Sequence, residues 1–407
     1  MTAEPLVPGD LTLPEPRSTT ARSVLSRAMG QLLRELCSAH RGAPQGASVE
    51  AAVLQRMVAA ARVSAPGALV SALRRPTVSG LLRCLRQEAL PRREAVFVEL
   101  VAQLAFELAI AGVLPEPVRL RRVPSRLLSI PARLALVIAP GATTIVVENG
   151  SVAVERDGAS ARVDLAAPAS ARGVVVERPY HAISGDMVLA LADNNPLALV
   201  EAHPDKSGNA VDLGGHDASE WATALAAALD PIARHLPELR AEMDLFVAQI
   251  VPVGWDPEKH LSASYQEIIG TLYLTLHPSR MTLSEALIHE FSHNKLNALF
   301  EIDAVLENAW TPLYTSPVRP DPRPLHGVLL AVHAFLPVAR LYERMIAAGD
   351  PEAQSQPFRA RFAAIRKINR EGADLVLAEG KPTAVGRGLF DEIGRWRAHY
   401  SRFDETP

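Results

Sequence analysis

Residues 284–300 read SEALIHEFSHNKLNALF and place His289, Glu290 and His293 in the spacing H-E-x-x-H. Side chains four residues apart on a helix lie one turn apart on the same face, so both imidazoles can bind a single metal ion. Glu290 can act as a general base on a metal-bound water or on a substrate group. The spacing therefore predicts a metal-dependent enzyme, and a zinc peptidase is the first class to consider.

The motif does not identify the third metal ligand. The residues after His293, NKLNALFEID, lack the glycine and histidine of H-E-x-x-H-x-x-G-x-x-H, which excludes the peptidase class that uses this longer motif. Glu301 and Glu307 are the carboxylate candidates. Glu301 is eight residues further along the same helix, too far to reach the ion, whereas Glu307 can follow a turn. For both, a solvated or salt-bridged surface position is the simpler interpretation.

The helix expected next along the chain, RPLHGVLLAVHAFLPVARLYERM, offers histidine ligands instead. His326 and His333 are seven residues apart, two turns along one otherwise apolar face. Histidines in such positions are often core residues, so both interpretations stay open. We expect His326 to be the third ligand because it is nearer to the preceding loop. A three-histidine site leaves positions for a chelating cosubstrate on iron(II).

The motif lies in the last of four predicted regions. Residues 1–17 contain four prolines and are expected to form an extended arm, and the apolar spacing of residues 18–114 predicts helices. Residues 115–215 are rich in β-branched residues and contain Asn-Gly and Asp-Gly hairpin signals. Residues 216–407 combine the strands LFVAQIVPV and GTLYLTLHP with helices. The predicted fold class is α+β.

Two helix starts can be assigned from capping residues. Asp217 or Ser219 is expected to cap a helix over DASEWATALAAALDPIARHL, and Thr282 or Ser284 is expected to cap a metal-binding helix that ends at Phe300. A strand, a short turn and then this helix would hold both imidazoles on one face.

Composition limits the class of protein. The 407 residues suffice for two or three domains, and 48% hydrophobic and 21% charged residues are typical of a soluble globular protein. A net charge of −3 indicates neither nucleic acid nor an anionic membrane as a partner. Cys37 and Cys84 are expected to be free thiols. The absence of a signal sequence and of a membrane-length apolar run predicts a cytoplasmic protein.

Residues 270–299, GTLYLTLHPSRMTLSEALIHEFSHNKLNAL, and residues 313–342, LYTSPVRPDPRPLHGVLLAVHAFLPVARLY, together resemble a known family. They are similar to the HEXXH-motif proteins of gene clusters for ribosomally made peptide natural products. The resemblance covers about residues 185–350. Members are described as iron(II)- and 2-oxoglutarate-dependent peptide β-hydroxylases. Cysteines at 37 and 84 alone cannot form the C-x-x-x-C-x-x-C motif of a fused radical-enzyme domain, so the chain resembles a free-standing form.

The resemblance implies that His289, His293 and a third histidine from the following helix bind iron(II), with dioxygen and 2-oxoglutarate in the remaining positions. Of the two histidines on that helix, we expect His326, because it is nearer to the preceding loop. Glu290 would then orient a water, a substrate or a ligand. The expected partner is a precursor peptide, with a homodimer as a further possibility. Two alternatives stay open: a zinc metallopeptidase with Glu307 as third ligand, and a non-catalytic peptide-binding protein.

The resemblance also implies a residue for the distal carboxylate of 2-oxoglutarate. Arg323 in DPRPL is the first candidate because a guanidinium can bind a carboxylate through two hydrogen bonds. Lys295 is the second. A salt bridge from Arg323 to Asp321 and an exposed position of Lys295 on its helix are the alternatives. The basic cluster RLRRVPSR at 119–126 is expected to be a solvated strand face rather than a binding site for a leader peptide.

Overall fold

The computed structural model describes residues 8–200, 202–203, 206–315 and 321–403. Within them, the α-helices are α1 Thr20–Ser38, α2 Ser48–Ser64, α3 Pro66–Leu73, α4 Pro76–Cys84, α5 Arg93–Ile110, α6 Ala218–His235, α7 Pro237–Phe246, α8 Arg280–Phe300, α9 Leu325–Ala347, α10 Gln356–Glu379 and α11 Gly386–Ser401. The strands are β1 Val118–Leu120, β2 Arg126–Ser129, β3 Leu134–Ile138, β4 Ala142–Glu148, β5 Ser151–Arg156, β6 Ala159–Asp164, β7 Val174–Glu177, β8 Tyr180–Ser184, β9 Met187–Ala190, β10 Ala202–His203, β11 Lys206–Ser207, β12 Gln249–Trp255, β13 Ser262–Ala263, β14 Thr271–Leu276, β15 Leu313–Tyr314 and β16 Arg323–Pro324. The fold class is α+β, as predicted: helices, a strand-rich centre and helices again.

The central strands form three main sheets. The first two are antiparallel, with the orders β1-β4-β5-β6 and β2-β3-β7. The third has the order β13-β14-β12-β9-β8, and its middle strand β12 runs parallel to both β9 and β14. This sheet joins strands from both sides of residue 215. The predicted strands LFVAQIVPV and GTLYLTLHP are confirmed as β12 and β14.

Helix α8 packs on one face of the five-stranded sheet, where Leu272, Leu274 and Leu276 of β14 belong to the main core. Tyr273 points to the opposite face, in a second cluster with Val251. This alternation follows from the two-residue period of a strand. The apolar face of β14 therefore fixes the position of α8 on the sheet.

Helix α8 begins one turn earlier than its expected caps. Ser279 is the N-cap, and its hydroxyl accepts a hydrogen bond from Thr282 N over 3.2 Å. The expected cap at Ser284 is wrong because its hydroxyl instead donates to the Ala228 carbonyl over 2.7 Å. The cap at Asp217 is confirmed, since its carboxylate accepts from two backbone amides at the start of α6.

Helices α8 and α9 lie antiparallel. The His289 ring contacts Phe335 near the middle of α9, whereas Phe300 at the end of α8 contacts His326 at the start of α9. Among the described helices, α9 is long and apolar enough to span a membrane. However, 67% of its most apolar 18-residue window is buried in the protein. It packs between α8 and α10, as a core helix of a soluble protein does.

In the described part of the predicted arm, residues 8–17, the stretch 11–13 is buried in the protein, whereas residues 15–17 are exposed. The backbone amides of Thr12 and Leu13 donate to the two carboxylate oxygens of Glu392 on α11, over 2.9 and 2.8 Å. The Thr12 hydroxyl lies 3.0 Å from Nδ1 of His333 on α9. The arm therefore connects two C-terminal helices. The remaining residues of the predicted arm lie outside the described residues.

Candidate metal centre

Helix α8 presents His289 and His293 on its face toward α9, one turn apart as the motif predicts. Their Nε2 atoms are 2.9 Å apart, and the two rings meet edge to face. Both side chains are half-buried. The ring of Phe335, 4.8 Å from that of His289, forms one wall of the site.

Glu290 completes a group of three donors. One ligand atom from each of His289, Glu290 and His293 lies within 4.8 Å of the other two. The Glu290 side chain is buried, and two serine hydroxyls of the β13 segment hold its carboxylate. Ser262 Oγ donates to Oε1 and Ser264 Oγ donates to Oε2, each over 2.7 Å. The carboxylate therefore has a fixed orientation, and its remaining lone pairs can still bind a cation.

The donor set fits a metal ion. Nitrogen ligands lie about 2.1 Å from a bound first-row metal, so two of them are about 3.0 Å apart at a right angle and about 3.4 Å apart at the tetrahedral angle. The observed 2.9 Å between the Nε2 atoms of His289 and His293 is short enough for both imidazoles to bind one ion. Two imidazoles and one carboxylate are a donor set that iron(II) binds in oxygenases.

Burial keeps His293 and His326 neutral, which is the form of an imidazole that binds metals. Burial lowers the pKa of His293 to about 4, and the nearby His326 imidazole contributes to the shift. Burial also lowers the pKa of His326 to about 4. Both imidazoles can therefore accept a cation at neutral pH without first losing a proton.

His326 lies between two aromatic rings. Its ring is 4.5 Å from that of Phe300 and stacks at 4.6 Å on Trp310, whose side chain is 63% exposed. The structure does not bring His326 into the three-donor group of His289, Glu290 and His293. His326 lies beside the three-donor group, stacked between Phe300 and Trp310.

The other candidates for a third ligand lie outside the three-donor group. His333 is fully buried, and its Nδ1 lies 3.0 Å from the Thr12 hydroxyl, while its Nε2 has no hydrogen-bond partner among the described residues. Glu301 binds the guanidinium groups of Arg86 and Arg83 at 2.7 and 3.5 Å, so the expected salt bridge is confirmed, but the expected surface position is wrong because the carboxylate is buried. Glu307 is exposed in the loop after α8. Neither carboxylate belongs to the metal-binding group.

The two candidates for 2-oxoglutarate differ in position. Arg323 is half-exposed on β16, and its Nε donates to Asp321 Oδ2 over 3.2 Å, which is the expected loop salt bridge. Lys295 is fully buried, so its expected exposed position is wrong. Its Nζ lies 2.6 Å from Glu242 Oε2. Two residues beyond His293 correspond to about 200° around the helix, which turns Lys295 away from the metal-binding face.

Sequence reasoning missed the serines that hold Glu290. Ser262 and Ser264 lie in HLSASYQ, a segment without a run of β-branched residues, and β13 is only two residues long. The signal available in the sequence was the serine pair spaced by two, which places both hydroxyls on one face of a strand. That signal gains meaning only when the strand is known to pass beside α8.

The basic cluster at 119–126 is a solvated surface with ion pairs. Arg119 binds Glu155 at 2.7 Å, and Arg122 binds Glu94. Both free thiols are as predicted, with Cys84 buried and Cys37 half-buried.

No protein-family model matches the chain, and no curated protein matches it.

Proposed function

We propose that this protein is a cytoplasmic iron(II)- and 2-oxoglutarate-dependent enzyme that hydroxylates the β-carbon of a residue in a ribosomally made precursor peptide. The observation that supports a metal-dependent enzyme most directly is the 2.9 Å separation of the His289 and His293 Nε2 atoms beside the Glu290 carboxylate. An iron(II) ion held by two imidazoles and one carboxylate would keep coordination positions for a chelating cosubstrate.

The residues of this chain bind and orient the reactants. When bound, iron(II) with 2-oxoglutarate and dioxygen supplies the oxidant for C–H hydroxylation, and succinate and carbon dioxide are released. His289, His293 and Glu290 hold the metal ion, and the Phe335 ring shields one side of it from water. Arg323 is the candidate for binding the distal carboxylate of 2-oxoglutarate. To do so, its guanidinium would leave Asp321 and bind the cosubstrate carboxylate instead.

The position of Glu290 favours a metal-binding or positioning role over that of a peptidase base. Both of its oxygens accept hydrogen bonds from serine hydroxyl groups, which hold the carboxylate in one orientation. A zinc peptidase also needs a third protein ligand, and Glu307, the candidate for it, is exposed away from the group.

Anaerobic loading with iron(II) followed by 2-oxoglutarate tests the proposal. We expect a weak visible charge-transfer band, because 2-oxoglutarate chelates the metal through its carboxylate and keto oxygens. The variant His289→Ala/His293→Ala should show no band, whereas His40→Ala, at a surface histidine, should keep it. Absence of the band, together with tightly bound zinc and cleavage of peptides, would establish the peptidase. Binding of peptides without metal dependence would indicate the non-catalytic partner.

A further inference from the structure

Strand β13 is an edge of the five-stranded sheet. It is the terminal strand in the order β13-β14-β12-β9-β8, and among the described residues no strand pairs with its outer side. Residues 260–265 are half-buried, with β14 on one side and α8 across their face. The outer side of β13 is therefore a strand edge beside the metal-binding helix.

The ladder between β13 and β14 shows which backbone groups point outward. Thr275 N donates to Leu261 O over 2.9 Å, and Ala263 is paired with Tyr273 two residues further along. In an antiparallel ladder, alternate residues of a strand direct their N–H and C=O groups to the partner strand. Leu261 and Ala263 thus face β14, and the backbone groups of Ser262 and Ser264 face the open edge.

The same two serines place this edge next to the metal-binding group. Their hydroxyls bind Glu290, one ligand atom of which lies within 4.8 Å of those of His289 and His293. A strand added to the edge would lie about 4.8 Å from β13. Every second side chain of that strand would point to the face occupied by α8, where the two imidazoles stand.

We infer that the outer edge of β13 binds the substrate peptide as an added β-strand, so that one of its residues presents its Cβ to the metal-binding group. This inference rests on the proposed function for the identity of the substrate. A two-residue edge offers too few backbone hydrogen bonds for stable pairing between two copies of the protein. A peptide gains a second attachment at the metal-binding group, and extended peptides bind sheet edges in this way in other proteins.

A peptide hydroxamate tests this inference without turnover. The probe is an octapeptide of alternating threonine and valine with a C-terminal hydroxamate, which chelates zinc or iron, and acetohydroxamate is the control without a backbone. We expect the full-length, zinc-loaded protein to bind the octapeptide at least about tenfold more tightly than acetohydroxamate, since each added backbone hydrogen bond contributes a few-fold. N-methylation of alternate probe residues should remove this gain, whereas N-methylation of the intervening residues should preserve it.

Amide hydrogen exchange locates the contact. The amides of Ser262 and Ser264 should exchange at least about tenfold more slowly with the probe, and the Ala263 amide, already bonded to β14, should not change. Equal affinity for the two hydroxamates, N-methyl effects without a two-residue period, or unchanged exchange at both serines would overturn the inference. These readouts need no iron chemistry, so they stay interpretable if no 2-oxoglutarate-dependent hydroxylation is found.

Discussion

The Nζ atom of Lys295 lies 2.6 Å from Oε2 of Glu242, on the side of α8 that faces away from the histidines. Both side chains are buried, and the lysine also approaches the Thr12 carbonyl at 3.4 Å. The metal-binding helix thus has two polar sides. One carries the candidate metal ligands, and the other carries Lys295, whose charge is neutralised by the Glu242 carboxylate of α7.

Removing one member of this pair should destabilise the fold. Lys295→Met leaves a buried carboxylate without its partner, and we expect a loss of about 3–5 kcal/mol in the free energy of unfolding measured with urea. The double variant Lys295→Met/Glu242→Leu should recover most of this loss and keep its 2-oxoglutarate affinity. A selective loss of 2-oxoglutarate binding in a stable double variant would instead return Lys295 to the list of cosubstrate ligands.

The serines that hold Glu290 should control metal affinity. In Ser262→Ala/Ser264→Ala the carboxylate loses both donors, and we expect iron(II) affinity, measured by competition with a chelator, to fall about 10–100-fold. Ser160→Ala, at an exposed serine of β6, is the matched control. An unchanged affinity in the double variant would show that the carboxylate is held in place by other contacts.

The three-donor group predicts that the histidines differ strongly in their contribution to iron(II) affinity. His289→Ala and His293→Ala should each lower iron(II) affinity at least about a hundredfold, because each removes a ligand atom. His326→Ala should change it less than about threefold, since His326 lies in the stack with Trp310. Equal losses in all three variants would make His326 the third ligand, as expected from its position in the sequence.

Arg323 should affect the cosubstrate and leave the metal unchanged. In Arg323→Gln we expect the Kd of 2-oxoglutarate to rise at least about tenfold, because the substitution removes a charged, bidentate donor. Iron(II) affinity should remain as in the native protein. Arg397→Gln is the control, since Arg397 is also partly exposed and paired with a carboxylate, that of Asp374. An unaltered Kd would assign the distal carboxylate to another residue.

Buried carboxyl groups should make stability depend on pH. Burial raises the pKa of Glu107 to about 7, whereas 4.5 is its ordinary value. Between these values the folded state holds more protons than the unfolded state, so the free energy of unfolding decreases as the pH rises. Glu107→Gln should therefore stabilise the protein by about 3 kcal/mol at about pH 8 and have little effect at about pH 4. Urea unfolding at both values, with exposed Glu88→Gln as control, measures this difference; equal effects at the two pH values would contradict it.

The metal-binding helix was predictable because its signals are local. The imidazole spacing of His289 and His293, the apolar periodicity and the preceding run GTLYLTLHP all lie within about thirty residues. Hence α8, β14 and the two histidines follow from the sequence. Its exact start did not, because Ser279, Thr282 and Ser284 are all suitable caps and the choice depends on the contact of Ser284 with α6.

The surroundings of that helix depend on distant partners. Lys295 meets Glu242, 53 residues away, and Glu290 meets serines 26 and 28 residues away. A pattern read along the chain does not show such pairings, because they arise from packing. The position of His326 outside the three-donor group was likewise not predictable, because its stacking on Trp310 depends on the conformation of the intervening loop.

The bonds from Thr12 and Leu13 to Glu392 join residues about 380 positions apart. During synthesis, the arm cannot reach its final place until α11 has left the ribosome. Until then, Leu11 and Leu13, which are buried in the finished protein, lack part of their cover. Lys295, on the metal-binding helix, likewise lacks its contact with the Thr12 carbonyl until the arm has docked. The arm is therefore synthesised well before it can dock, and the nascent chain holds its metal-binding helix incompletely enclosed until α11 has been made.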